Sequence, residues 1–142
     1  MHKIKNMETV RTTYLGELKT EAVHVKSGAK IYTEAPEDNQ GKGESFSPTD
    51  LFAASYASCA LTIMGISAQT HGFNIDGATA KTTKVMGDNP RRVVELIVEY
   101  TFPHNQYSDK VRKFIEKAVK ECPVANSLSS GLEITKTIVY KD

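Results

Sequence analysis

Ser47-Pro48-Thr49-Asp50-Leu51-Phe52-Ala53-Ala54-Ser55-Tyr56-Ala57-Ser58-Cys59 opens the stretch whose reading decides the fold. Serine followed by proline marks a helix start. The serine oxygen can accept from a free backbone N–H, and proline at the first helical position gives up an N–H that had no partner anyway. Asp50 falls in the first turn, where the helix dipole favours a negative charge. The helix is expected to run to about His71, with Gly72 as its stop. Along it Leu51, Ser55, Cys59 and Ile63 recur every four residues and share one face. Ala53, Ala54, Ala57, Ser58, Ala60 and Gly65 keep much of the remainder small enough for a sheet, or a second copy of the helix, to approach closely. No Asp, Glu, Lys or Arg occurs between residues 51 and 75, a length that invites comparison with a membrane span of about 20 residues. Ser55, Ser58, Thr62, Gly65, Ser67, Gln69 and Thr70 interrupt the apolar character, so a buried central helix is expected instead.

Outward from this helix the chain reads as strands. Residues 9–14 are rich in β-branched side chains, Gly16-Glu17 can turn, and residues 18–25 resume a strand pattern; a third short strand is expected over 29–33. Residues 34–45 combine Pro, Gly, Asn and charges with almost no apolar residue, the composition of a loop. After the helix, strands are expected over 74–86 and Arg92–Phe102, joined through Gly87-Asp88-Asn89-Pro90. In the second of these, Val94, Leu96, Val98, Tyr100 and Phe102 alternate with polar residues, so one face is buried. Ser108 caps a helix whose apolar stripe is Val111, Phe114, Ile115, Ala118, Val119 and Cys122. Pro123 ends it and permits a short helix over 123–128, Gly131 stops that, and a last strand spans 132–141. This order gives one α+β domain over 1–142.

Composition narrows the function. Of 142 residues, 39% are hydrophobic and 25% charged, with a formal net charge of +1. That balance is ordinary for a soluble protein and offers no field for nucleic acid or an anionic membrane. No basic start, apolar run and small-residue cleavage site follow Met1, so a cytoplasmic location is expected. Cys59, Cys122, His24 and His71 lack the short spacing of a metal site, and no cofactor motif is present.

The two cysteines carry the remaining signal. In a reducing compartment such a pair is redox-active, metal-binding or merely buried. A thiol attacks as thiolate, so a working cysteine needs its pKa below about 8.5. Cys122 stands where it can cap the helix beginning at Pro123, and free N–H groups there favour an anion. Cys59 sits mid-helix among N–H groups already used. Local physics alone therefore selects Cys122 as the more acidic thiol.

The run from Ser47 to Cys59, together with Cys122-Pro123-Val124-Ala125-Asn126-Ser127-Leu128, resembles the paired motifs of the OsmC/Ohr family, the osmotically induced and organic-hydroperoxide-resistance proteins. The resemblance implies antiparallel sheets around a long central helix carrying the first cysteine, in an intertwined homodimer with its sites at the interface. It also implies a peroxidase in which Cys59 attacks an organic hydroperoxide and becomes a sulfenic acid, Cys122 closes a disulfide, and an external dithiol reduces it. Family members activate the first cysteine with an arginine from the first hairpin. Lys19 is the corresponding cation here, with Arg11 as a second candidate. The family carboxylate ten residues before the first cysteine is replaced by Thr49, which leaves Glu44 and Asp50 as substitutes. Lysine supplies the charge but not the guanidinium's fixed fork of donors. The alternative is a non-catalytic or redox-sensing module that binds a small apolar or thiol ligand at the dimer interface.

Overall fold

In the computed structural model, which describes residues 7–142, the β-branched run near the N-terminus becomes strand β1 (Val10–Gly16), followed by β2 (Lys19–His24) and β3 (Lys30–Glu34). They form an antiparallel sheet in the order β1-β2-β3. Glu17 and Leu18 make the two-residue turn between β1 and β2, at φ values of 54° and 64°. Positive φ at both central positions matches the twist of the flanking strands, which is why Asn-Gly is the usual choice there. Here non-glycine residues hold the turn with outside support. The Leu18 N–H donates to the Tyr14 hydroxyl at 3.2 Å, and the Leu18 carbonyl accepts from the Ala35 N–H at 3.1 Å.

Glu34, expected to open the loop, is instead the last residue of β3. Its N–H donates to the Phe46 carbonyl at 3.0 Å, which draws the two ends of the following loop together. Within the loop a single 3-10 turn, Glu37–Asn39, precedes Gly41. A Cβ at Gly41 would lie 1.6 Å from the Ala35 carbonyl oxygen, so only glycine fits that approach. Helix α1 (Pro48–His71) follows and ends as expected, with Gly72 at φ 74°.

The chain divides into two compact units, Met1–Leu51 and Phe52–Asp142. In the second, β4 (Thr79–Gly87), β5 (Arg92–Phe102) and β6 (Glu133–Tyr140) form a sheet in the order β4-β5-β6. β4 begins later than the sequence suggests because the Asn74 side chain accepts from the Asp76 N–H at 2.6 Å, a local turn that competes with strand geometry. β4 pairs with β5 antiparallel, but β6 runs parallel to β5, so this sheet is mixed. A parallel neighbour needs a crossover, and α2 (Asp109–Val119) and α3 (Pro123–Asn126) lie in that connection.

The alternation read in β5 is the core: Leu96, Val98, Tyr100 and Phe102 are fully buried. They cluster with Ala53, Tyr56, Ala60 and Met64 of α1 and with Ile115, Ala118 and Val119 of α2. Complete burial of a side chain such as Leu96 or Met64 contributes about 1.5–3 kcal/mol. α1 is long and apolar enough to cross a membrane by length and composition, yet it carries a core stripe, Ala53, Tyr56, Ala57, Ala60, Met64 and Ala68. It is buried along that stripe rather than all round; on the neighbouring face of Leu51, Ser55, Cys59 and Ile63, Cys59 and Ile63 are half-buried and pack against the core, while Ser55 is exposed. On its open side the hydroxyls of Ser55, Thr62 and Thr70 return to the carbonyls of Phe52, Ser58 and Ile66 at 2.6, 2.8 and 2.9 Å.

The left-handed turn predicts a stabilised variant. Replacing Glu17 by Asn and Leu18 by Gly relieves a cost of about 1 kcal/mol or more for bulky residues at positive φ. The double variant is expected to show a higher urea midpoint at unchanged slope. A lower midpoint would mean that the Leu18 side chain contributes more than its backbone costs.

Candidate thiol site

Both cysteines belong to the second unit, and the fold brings them together. Cys59 lies on α1 and is half-buried, whereas Cys122 is fully buried. Cys122 stands at the N-cap of α3, with Pro123 in the first turn, as the sequence predicts. Its thiol faces the Tyr56 carbonyl at 4.0 Å and interacts with the thiol of Cys59.

The expected acidity of Cys122 is overturned. Burial, the largest cause, pushes its pKa up; the neighbouring Cys59 adds to the rise, while the N–H groups of Ala125 and Val124 pull the other way. Those N–H groups lie close enough to favour the thiolate without reaching hydrogen-bond geometry. Desolvation of the anion outweighs the helix-start effect that sequence reasoning relied on. Cys122 is therefore held as a neutral thiol at neutral pH.

The expected supporting residues lie in the first unit. Lys19 is the first residue of β2 and stands in register with Gly16 on one side and Glu34 on the other. Lys19 and Glu34 line a cavity of about 270 Å³ with Leu15, Thr20, Tyr32, Thr33 and Ser45. Thr20 and Thr33, paired across the strands, share a hydrogen bond at 2.5 Å in its wall. Glu34 is only 6% exposed, a buried carboxylate that the sequence reading left in the loop. The signal was an extension of the β3 pattern by one residue, hidden by the acidic, proline-containing run that follows.

Asp50 has a structural task. The Ser47 N–H donates to its carboxylate at 2.9 Å, and the Asp50 N–H donates to the Ser47 hydroxyl at 3.0 Å. This reciprocal arrangement is a capping box that satisfies two free donors at the start of α1. Glu44 is exposed in the loop and shares a shallow groove with Gly43, Ser45, Phe46 and Asp50. Thr49 is within 3.2 Å of the Ser47 hydroxyl. Arg11, the second cation candidate, is exposed and paired with Glu8, which raises its pKa.

A mixed α+β fold with two facing cysteines, one on a long helix and one at the start of a short helix, defines a class of paired-thiol proteins. Residues 41–136 match the family of OsmC-like proteins, and the chain belongs to that family. It is similar, at 45% identity and a TM-score of 0.86, to a protein of Psychrobacter arcticus 273-4 provisionally described as an osmotic stress induced and detoxification response protein, with 97% of this chain and 98% of that chain covered. The fold also matches an OsmC like protein from Mycoplasma pneumoniae, at 19% identity and a TM-score of 0.79 over 98% of this chain and 100% of that one. An organic hydroperoxide resistance protein from Elizabethkingia anophelis matches at 18% identity and a TM-score of 0.72, over 96% of this chain and 99% of that one. No sequence among curated proteins matches the chain.

The raised pKa of Cys122 makes a stability prediction. Between the unfolded thiol pKa, about 8.5, and the higher folded value, the unfolded chain has lost a proton that the folded chain keeps. The contribution is complete below about pH 8.5 and is lost as pH rises through the folded value. Unfolding free energy measured in urea is expected to fall between about pH 8.5 and pH 9.5, below the range where free tyrosines ionise. Cys122→Val should flatten that decline; a decline of equal slope in the variant would assign it to another group.

Proposed function

We propose that this protein is a thiol-dependent peroxidase that reduces organic hydroperoxides. The observation that carries the reading is the interacting thiol pair, with the half-buried Cys59 beside a fully buried Cys122. Membership of the OsmC-like family, and the described roles of the relatives above, support it. The Cys59 thiolate attacks the hydroperoxide, the O–O bond breaks, and the products are a Cys59 sulfenic acid and, after protonation, an alcohol. The Cys122 thiol then attacks that sulfur, forming a disulfide and releasing water. An external dithiol restores both thiols by exchange, in the reducing cytoplasm where we place the protein.

By resemblance to the family, Lys19 is the candidate cation for this chemistry. Glu34, in register with Lys19 across β2 and β3, is the carboxylate to hold it, ahead of the exposed loop residue Glu44 and of Asp50, which is engaged in capping. A homodimer fits the apolar surface of the single chain: Val10, Tyr14, Leu15, Ile31, Tyr32 and Phe46 of the first unit are all exposed, as is Ile66 on the open side of α1. So much exposed apolar area in one small chain marks an association surface.

Reduced protein is expected to react with cumene hydroperoxide faster than with hydrogen peroxide in anaerobic stopped-flow measurements, giving a Cys59–Cys122 disulfide by mass spectrometry. Cys59→Ser should abolish turnover, and Cys122→Ser should accumulate a sulfenate that dimedone traps. Thiols that oxidise no faster than free cysteine would replace this reading with that of a ligand-binding or redox-sensing module.

Sedimentation equilibrium is expected to give twice the chain mass at micromolar concentration, and Tyr32→Asp with Ile31→Lys should shift it toward one chain. A wild-type protein that sediments as a single chain would remove the dimer.

A further inference from the structure

Glu34, at the end of β3, is 6% exposed, and among the described residues its carboxylate joins no ion pair and its side chain no hydrogen bond. A carboxylate taken this far out of water needs a cation or several donors to offset its lost hydration. Two lysines border it. Lys19 stands in register with it across β2 and β3, and Lys42 shares with it a cavity of about 230 Å³, yet neither comes within ion-pair distance. A larger cavity, of about 270 Å³, is lined by Glu34 and Lys19 together. Thr20 and Thr33, hydrogen-bonded to each other at 2.5 Å, and Ser45 add hydroxyls, which both donate and accept. Leu15 and Tyr32 complete the wall with apolar surface. One anion and one cation, held on neighbouring strands but not joined, are complementary to a ligand that carries the opposite two charges. Size narrows the choice, since drug-sized ligands take pockets of roughly 300–1,000 Å³ and this cavity is smaller.

We propose that this cavity binds a small zwitterion, an α-amino acid with an apolar side chain, its ammonium on Glu34 and its carboxylate on Lys19. An ammonium donates in several directions and accepts in none, so it can meet the Glu34 carboxylate and a hydroxyl oxygen of the threonine pair at once. Charge-assisted hydrogen bonds of this kind are the strong ones. The ligand's side chain lies against Leu15 and Tyr32, and no covalent bond forms or breaks. Every residue of the cavity belongs to the first unit, so the inference does not rest on the peroxidase reading. With the cavity empty, Glu34 is left to Lys19, as that reading requires.

Isothermal titration calorimetry of the full chain with L-valine, isobutylamine and isovalerate tests this, because the two analogues are valine without its carboxylate and valine without its ammonium. L-Valine is expected to bind at least about tenfold more tightly than either analogue. Glu34→Gln should remove its advantage over isovalerate, and Lys19→Met its advantage over isobutylamine, in variants whose circular dichroism melting shows them folded. L-Valine that does not bind at millimolar concentration, or binds no more tightly than one of the analogues, overturns the zwitterion site. Folded Glu34→Gln protein that binds L-valine as the unsubstituted chain does overturns it equally, since the ligand would then sit elsewhere. The ligand series on the unsubstituted chain decides the matter even if a variant fails to fold. Inertness toward hydroperoxide would count against the peroxidase reading alone, because the titration involves neither thiol.

Discussion

Burial of the Tyr56, Ala60 and Met64 stripe of α1 in one cluster with the inward face of β5 is the contact on which the second unit depends. The helix can pack there because its contacting residues are mostly alanine, with Tyr56 and Met64 supplying the bulk. The same core takes the apolar stripe of α2, and that stripe ends just before Cys122. The two sulfurs meet because two hydrophobic surfaces close on each other, and no dedicated loop is needed to position them. Core volume and thiol geometry are therefore one property of this unit. A cavity opened at Ala60 or Met64 would disturb the sulfur pair as well as the stability.

The core also contains an inconsistency that packing does not remove. A buried hydroxyl without a partner costs about 1–3 kcal/mol, and among the described residues Thr82 and Tyr140 each carry one. For Tyr140 the ring has a compensating role, since the Arg112 guanidinium lies 4.1 Å over it. The Tyr56 and Tyr100 hydroxyls act first on each other and only then feel the two cysteines.

Much of this was legible in the sequence where a local rule decides the outcome. Ser47-Pro48 and Gly72 bound α1, the alternation in β5 named its buried face, and Ser108 and Pro123 punctuated the helices that follow. What escaped depended on partners far along the chain. The parallel direction of β6 needs the sheet order, the placement of Glu34 in β3 needs its pairing with Lys19, and the open side of α1 needs the depth of the core. The early part of the expected β4 was lost to an Asn74 side chain that satisfies the Asp76 N–H locally. Cys122 is the sharpest case: its place at a helix start was readable, but its acidity was not, because desolvation is set by residues that the local sequence does not contain.

The burial of Cys122 also sets the direction in which a disulfide between the two cysteines could be undone. A reductant arriving from solvent can reach only the sulfur of Cys59, since Cys122 is 0% exposed. Attack at Cys59 makes Cys122 the leaving group, and a thiol whose anion is poorly solvated leaves reluctantly. Return to the dithiol state therefore favours reductants shaped to approach Cys59 and able to donate a proton to the departing sulfur. Selectivity among reducing thiols would then be set at a residue that the reductant never touches.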